Sequence, residues 1–165
     1  MMDTMTDTPV LPPNMVVRDT MQDLLGRDVQ VAVADPWAPT LTEPGTVAIY
    51  VNDGYRLSAL ISCDLPLSAA LSSSIALIPA KTAADIVKEG RLPHDMEENL
   101  YEVLNVLASL FNRQHAPHVK LYQVHYPGDV APVDVSSRLR QYGDRSDLTM
   151  TVSGYGSGRF SIVLG

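Results

Sequence analysis

The sequence has very little cysteine, an excess of acidic over basic residues, and no long apolar run. Cys63 is the one cysteine in 165 residues, which excludes a disulfide within the chain and favours a reducing compartment. Twelve Lys and Arg against 19 Asp and Glu give a net charge of -7, which argues against nucleic acid or anionic membrane as the main partner. Neither a signal peptide nor an apolar run long enough to cross a bilayer is present. We therefore predict a cytoplasmic protein that binds neither nucleic acid nor membrane.

Familiar catalytic motifs are missing as well. The chain contains no P-loop, no dinucleotide-binding fingerprint and no Ser/His/Asp arrangement. His115 and His118 are three positions apart, but Pro117 disfavours a helix there, and no carboxylate or cysteine completes a ligand set. We predict no metal site and no cofactor in this chain, and we expect Cys63, within an apolar run, to be a buried core residue.

Length and composition predict one globular domain with a sizeable core, because 45% of the residues are hydrophobic and 19% are charged. Residues 1–14 are rich in Thr, Asp and Pro, and we predict a flexible N-terminal tail there. The domain should occupy residues 15–165. Alternating apolar residues predict hairpins over 46–63, with a two-residue turn at Asp53-Gly54, and over 148–164.

The longest helical signal runs from Asp95 to Asn112, 18 residues free of Gly and Pro, and we expect the rest of the chain to be organised around it. Its apolar residues have the spacing of one buried helical face, and they are Met96, Leu100, Val103, Leu104, Leu107, Leu110 and Phe111. Its polar residues form a stripe on the opposite side, made of Glu98, Glu102, Asn105, Ser109 and Asn112. Asp95 is suited to be the N-cap, since its side chain can accept a hydrogen bond from the first turn.

The polar stripe has two interpretations. It is typical of the solvated face of an amphipathic helix. Asn105, however, is a poor helix former in the middle of a helix, one turn after Glu102 on the same face. A carboxylate and a carboxamide held side by side on a rigid helix could bind a cation and position a water molecule. The sequence alone leaves both interpretations open.

The pattern Glu98-x-x-x-Glu102-x-x-Asn105 resembles the signature of the CheC/CheX/FliY phosphatases of bacterial chemotaxis. Their helix carries an acidic residue or Ser, then Glu, then Asn, and a proline follows further along the chain. Pro127 lies 22 positions after Asn105, one short of the usual interval. Glu98 stands where the family more often has Asp or Ser, and Ser109 replaces a common Gly. The resemblance covers roughly residues 15–165.

The sequence contains a weak internal repeat. Residues 16–34 and 100–124 both run helix, short connection and alternating strand. Aligning them places Pro12 opposite Glu102 and Met15 opposite Asn105, so the first copy of such a repeat has lost the polar pair. In this respect the chain looks most like CheX, which keeps one active copy of the motif.

The resemblance implies an α/β (α+β) two-layer sandwich, a largely antiparallel sheet covered on one face by long helices. It implies hydrolysis of the aspartyl phosphate on the receiver domain of a response regulator. Asn105 would orient the attacking water, Glu102 would pair with a lysine of the receiver, and Glu98 and Ser109 would support them. The magnesium ion would belong to the receiver, and we also consider a homodimer.

Two alternatives stay open. One is a non-catalytic binding or scaffold domain of the same fold, in a signalling or flagellar-switch setting. The departures at Glu98, Ser109 and Pro127 favour it. The other is an unrelated α/β domain with a coincidental stripe.

Overall fold

The computed structural model describes residues 9–112 and 117–165. Its helices are α1 (Asn14–Leu25), α2 (Leu65–Ile75), α3 (Ala80–Glu89), α4 (His94–Val106) and α5 (Val133–Arg138), and a 3-10 turn, η1 (Leu107–Leu110), continues α4. Its strands are β1 (Val29–Val33), β2 (Gly45–Asn52), β3 (Leu57–Asp64), β4 (Val119–His125), β5 (Arg145–Val152) and β6 (Gly156–Leu164). None of the helices in these two ranges is long and apolar enough to span a bilayer.

Six strands of the described chain form one sheet in the order β1-β5-β6-β3-β2-β4, and every neighbouring pair is antiparallel. The predicted antiparallel α/β sandwich is therefore confirmed, and so are both predicted hairpins. The first hairpin turn is longer than predicted, because residues 53–56 connect its strands. Asn52 closes this connection, since its side-chain oxygen accepts hydrogen bonds from the N–H groups of Gly54 and Arg56, at 2.9 and 3.0 Å.

The strand order has the symmetry that an internal repeat predicts. Exchanging β1, β2 and β3 with β4, β5 and β6 returns the same order read from the other edge of the sheet. Helix α1 then corresponds to α4, and each precedes an edge strand. Met15, aligned with Asn105, is 56% exposed on α1, whereas Pro12, aligned with Glu102, is buried and precedes the helix. The first half therefore carries an apolar residue where the second half carries Asn105.

Helix α2 is the centre of the helical layer. Its buried residues run through almost its whole length, and it packs against the sheet on one side and α3 and α4 on the other. The Asp64 side chain caps its first turn by accepting the Leu67 N–H at 2.9 Å. Strand β6 passes so close that a Cβ at Gly158 would lie 2.3 Å from Asp64 Oδ1, so this position requires glycine.

Helix α4 covers α2 from outside, with Met96, Leu100, Val103 and Leu104 buried. It differs from the predicted helix at both ends. It begins at His94 with Pro93 at the N-cap position, so Asp95 lies in the first turn and is not the cap. It ends at Val106, where η1 takes over. The expectation that the chain is organised around this segment is also wrong, since α2 holds the central position.

The N-terminal boundary lies earlier than predicted. Pro9 and Pro12 are buried, and Leu11 packs against the main core. Residues 9–14 therefore form part of the domain, whereas we predicted a flexible tail up to residue 14. The other residues of that prediction, 1–8, lie outside the described part of the chain.

The opposite face of the sheet carries a second, smaller core. Val135 and Leu139, from α5 and its C-terminal end, pack over Val47, Ile49 and neighbouring apolar residues of the sheet. The buried valine and leucine hold this short helix on the sheet.

Candidate functional site

All four predicted site residues lie on the outer side of α4 and η1. Glu98, Glu102, Asn105 and Ser109 are exposed, and their spacing places each about one turn after the one before. Val103 and Leu104, between them in sequence, are wholly buried. The amphipathic pattern therefore separates core from surface as predicted, and the chemical roles of the four residues stay predictions.

Glu102 and Asn105 are not engaged in the fold. Within residues 9–112 and 117–165, neither side chain forms a hydrogen bond or ion pair with another described residue. Glu98, by contrast, lies 3.3 Å from His94 Nε2, one turn earlier. The carboxylate of Glu102 and the carboxamide of Asn105 are thus free to bind a partner or a water molecule.

Asn112, the last member of the predicted stripe, has a different position. Its side chain accepts the Val119 N–H at 2.7 Å and donates to the Val119 carbonyl at 2.7 Å and the Ala108 carbonyl at 3.2 Å. These bonds fasten the end of η1 to strand β4. Asn112 is therefore a structural residue, although the spacing groups it with Asn105.

A shallow depression of about 330 Å³ adjoins Glu102. It is lined by His94, Glu97, Glu98, Tyr101, Glu102 and Tyr126. Burial, reinforced by the negative charge of Glu97 and further nearby groups, raises the pKa of Tyr126 to about 12, so this phenol stays protonated at neutral pH. Tyr101 and Val106 of the same helix are 40% and 42% exposed. Apolar surface beside carboxylates suits a protein partner with basic residues.

Sequence reasoning missed the tyrosines of this surface. Tyr101 directly precedes Glu102 and lies three positions after Glu98, so the helical period could have placed it on the outer side. Tyr126 follows β4, and only the tertiary fold brings it to α4.

Pro127 lies at the other end of the helix from Asn105. It is buried in the turn after β4 and shares a depression with His94 and Glu97, in the first turn of α4. Asn105 is 11 positions after His94, roughly 16 Å along a helix axis. The proline of the resemblance therefore flanks the start of α4.

The described residues contain no group of three or more His, Cys, Asp or Glu side chains that could hold a metal ion. His118 lies 2.9 Å from Asp53, and both are exposed. His115, the other histidine of the pair considered above, lies outside the described residues.

Comparison with solved structures adds to this geometry. A chain of the FliM–SpeE complex from H. pylori matches with a TM-score of 0.60 and 6% identity, over 90% of this chain and 79% of that one. The FliM middle domain from H. pylori matches with a TM-score of 0.55 and 7% identity, over 91% and 83%. A chain of the CheX–CheY–BeF3–Mg complex from Borrelia burgdorferi matches at 0.49 and 11% identity, over 88% and 90%. The chain therefore shares its fold with the FliM middle domain.

At identities of 6–11%, the likeness concerns the backbone and assigns no role to a residue. No family model matches the sequence, and no curated protein matches it.

Proposed function

We propose that the outer side of α4 binds the phosphorylated receiver domain of a response regulator and promotes hydrolysis of its aspartyl phosphate. Asn105 would orient the attacking water, and Glu102 would pair with a basic residue of the receiver. The observation that carries the proposal is the state of these two side chains, exposed one turn apart and without a partner in the described chain. A helix that docks onto a receiver needs exposed polar side chains that the fold has not already paired.

The reaction requires few catalytic groups from this chain. Water attacks the phosphorus in line, the bond from phosphorus to the receiver's aspartate oxygen breaks, and inorganic phosphate leaves with the aspartate carboxylate regenerated. An acyl phosphate is already labile, so holding one water in the line of attack is a substantial part of the catalysis. A carboxamide can do this, since its oxygen accepts a hydrogen bond from the water and its NH₂ donates one to the phosphoryl group. The magnesium ion would be the receiver's own.

A second candidate is a non-catalytic binding domain of a flagellar switch. FliM middle domains match with TM-scores of 0.53 and 0.55, and chains of FliM complexes with FliG and SpeE match with 0.53 and 0.60. Glu98, Ser109 and Pro127 depart from the phosphatase pattern and point the same way. In this case the outer side of α4 would bind a protein without changing its phosphorylation.

The deciding experiment is a phosphate-release time course on phosphorylated receivers from the source organism. Wild-type protein should accelerate release, and Asn105→Ala should lose at least about 10-fold of that acceleration, because the water is no longer oriented. Asn99→Ala is the matched control, since Asn99 lies on the same helix but is partly buried away from the stripe. Acceleration by no protein, or equal acceleration by wild type and Asn105→Ala, would favour the binding domain.

Receiver affinity tests Glu102 separately. Glu102→Gln should weaken binding, and the difference from wild type should shrink at high salt, because an exposed ion pair is screened. Glu89→Gln provides the control, an exposed glutamate at the end of α3 and outside the polar stripe. A salt-independent loss, or an equal loss in both variants, would count against an ion pair at Glu102.

A further inference from the structure

Tyr50 is a wholly buried side chain beneath α4. It lies on β2, its hydroxyl donates a hydrogen bond of 2.6 Å to the Leu104 carbonyl, and its ring lies 5.3 Å from that of Phe111. The bond joins the sheet to the peptide group between Leu104 and Asn105. A residue deep in the core thus reaches the backbone of the proposed site.

The hydrogen bond from Tyr50 lies near the point where the α-helix gives way to a 3-10 turn. Helix α4 ends at Val106 and η1 begins at Leu107. When bonding over four residues gives way to bonding over three, the carbonyls of the last α-helical turn lose regular partners. Tyr50 supplies a donor to one of these carbonyls. Tyr50 therefore fixes the backbone at the end of α4, where the hydrogen bonds within the helix fix it least.

The sheet is irregular at this residue on both sides. The register between β2 and β4 shifts between Ile49 and Tyr50, so that Tyr122 is the extra residue of β4. The register between β2 and β3 shifts between Tyr50 and Val51, so that Ser58 is the extra residue of β3. Bulges re-aim side chains and are frequent beside functional sites. Both strands that pair with β2 have a bulge beside Tyr50, which indicates that the direction of the Tyr50 side chain is important.

We propose that Tyr50 is a positioning residue for Asn105, fixing the backbone from which the carboxamide projects by holding the Leu104 carbonyl. Burial, and secondarily the nearby Cys63 thiol, raises the pKa of Tyr50 well above its ordinary value, so the hydroxyl remains a donor at neutral pH. As a role in catalysis, the inference rests on the proposed function. As a statement about the backbone at Asn105, it is testable without activity.

The test compares two substitutions that each remove one hydroxyl. Tyr50→Phe keeps the ring that packs on Phe111 and deletes the bond to Leu104. Tyr155→Phe is the matched control, because the Tyr155 hydroxyl also donates to a backbone carbonyl, that of Ile78 at 2.5 Å, away from α4. Both proteins are compared with wild type in nitrogen–proton correlation spectra, amide exchange and receiver dephosphorylation.

Tyr50→Phe should shift the backbone and side-chain signals of Asn105 and speed amide exchange around Val106, whereas Tyr155→Phe should leave them unchanged. It should also lower kcat at least roughly 10-fold with KM changed by less than about 2-fold, since misplacement affects the attack more than docking.

The outcomes separate the two proposals. Local spectral changes in a system where wild type accelerates nothing would support the positioning of Asn105 and overturn the proposed hydrolysis. Active wild type with Tyr50→Phe indistinguishable from Tyr155→Phe would overturn the positioning role alone. An unfolded Tyr50→Phe protein would overturn it too, because the hydroxyl would then serve the fold and not the site.

Discussion

Helices α2 and α4 pack against each other, yet they differ in how they treat polar groups. Nine of the 11 residues of α2 are buried, against four of the 13 residues of α4. Three serines of α2, Ser68, Ser72 and Ser74, donate to backbone carbonyls within the helix or at its start. On α4, Glu102 and Asn105 bond to no other described residue. One helix therefore stabilises the fold, and the other displays its polar groups to a partner.

This difference between the two helices shows where a binding site can form with little loss of stability. Buried polar groups are as a rule hydrogen-bonded, and three of the four α2 serines are tied in this way to particular neighbours. An exposed group on a rigid helix is held in place by the buried face behind it and is free of such ties. The strongest test of this contrast is the stability of matched substitutions in the two helices.

The largest effect should come from the apolar core at α2. Leu71→Ala, at a wholly buried leucine, should lower the free energy of unfolding by roughly 2–5 kcal/mol through lost burial and a cavity. Leu104→Ala, on the inner side of α4, should fall in the same range. Val106→Ala on the outer side should change stability by less than about 0.5 kcal/mol. Urea unfolding measures all three, and a small loss in Leu71→Ala would contradict the central position of α2.

Serine substitutions sharpen the comparison within α2 itself. The Ser68 hydroxyl donates to the Asp64 carbonyl at 2.7 Å and bonds the buried Thr46 hydroxyl at 2.8 Å. Ser68→Ala should therefore cost about 1–3 kcal/mol, because Thr46 loses its partner.

Ser73 is the matched control, since its buried hydroxyl has no partner among the described residues. Ser73→Ala should be neutral or stabilising, because it removes an unpaired polar group and adds a better helix former. Equal losses in Ser68→Ala and Ser73→Ala would show that helix propensity or packing, and not the bond to Thr46, sets the cost.

The same two helices show how far burial can be predicted from the sequence. The period of α4 is local, so its buried and exposed sides could be assigned from spacing alone. Helix α2 has Ser and Ala on all sides and shows no such pattern. Its small side chains permit close packing against both the sheet and the outer helices, but serine is also common in exposed helices. Burial of α2 therefore depended on tertiary contacts that spacing does not contain.

A pair of charged residues shows the same limit of local pattern. Residues 138–147 are rich in charge, which is typical of exposed segments, yet the side chains of Arg145 and Asp147 are each 6% exposed. They lie two positions apart on one side of β5 and form two bonds of 2.8 Å, and Ser161 donates to Asp147 at 2.6 Å. Burial raises the pKa of Asp147, but the bonds and charge of Arg145, together with Ser161, outweigh it and hold that pKa below its ordinary value.

The candidate site was predictable in part for the same reason. The helical period placed Glu102 and Asn105 on the exposed side, which the structure bears out. Tyr50 and Tyr126 come from strand β2 and the turn after β4, so their approach to α4 could not be deduced from local spacing. Asn112 shows the limit of the pattern, since the same stripe contains a structural residue.

A smaller effect is expected at the N-cap of α2. Burial raises the pKa of Asp64, against the opposing influence of the Leu67 N–H and Arg159. A raised folded pKa means that stability is highest below the unfolded pKa of about 3.8 and falls as pH rises through the folded value.

Asp64→Asn keeps the cap and removes this pH dependence, so its stability relative to wild type should improve from acid to neutral pH. The gain should be smaller than the Ser68→Ala loss. Unfolding by urea at several pH values measures it, with Asp85→Asn, exposed on α3, as the control. A relative stability that worsens toward neutral pH would mean that Arg159 dominates at Asp64.

The smallest effect on stability should come from Asn105→Ala. An exposed side chain without a partner contributes little to the fold, and alanine is the better helix former, so the free energy of unfolding should stay within about 0.5 kcal/mol or rise slightly. Asn112→Ala is the matched control and should be clearly destabilising, because that side chain bonds both backbone groups of Val119. A large loss in Asn105→Ala would make Asn105 a structural residue and remove the basis of the proposed site. Unchanged stability together with lost dephosphorylation would separate the two asparagines, one serving the fold and the other the reaction.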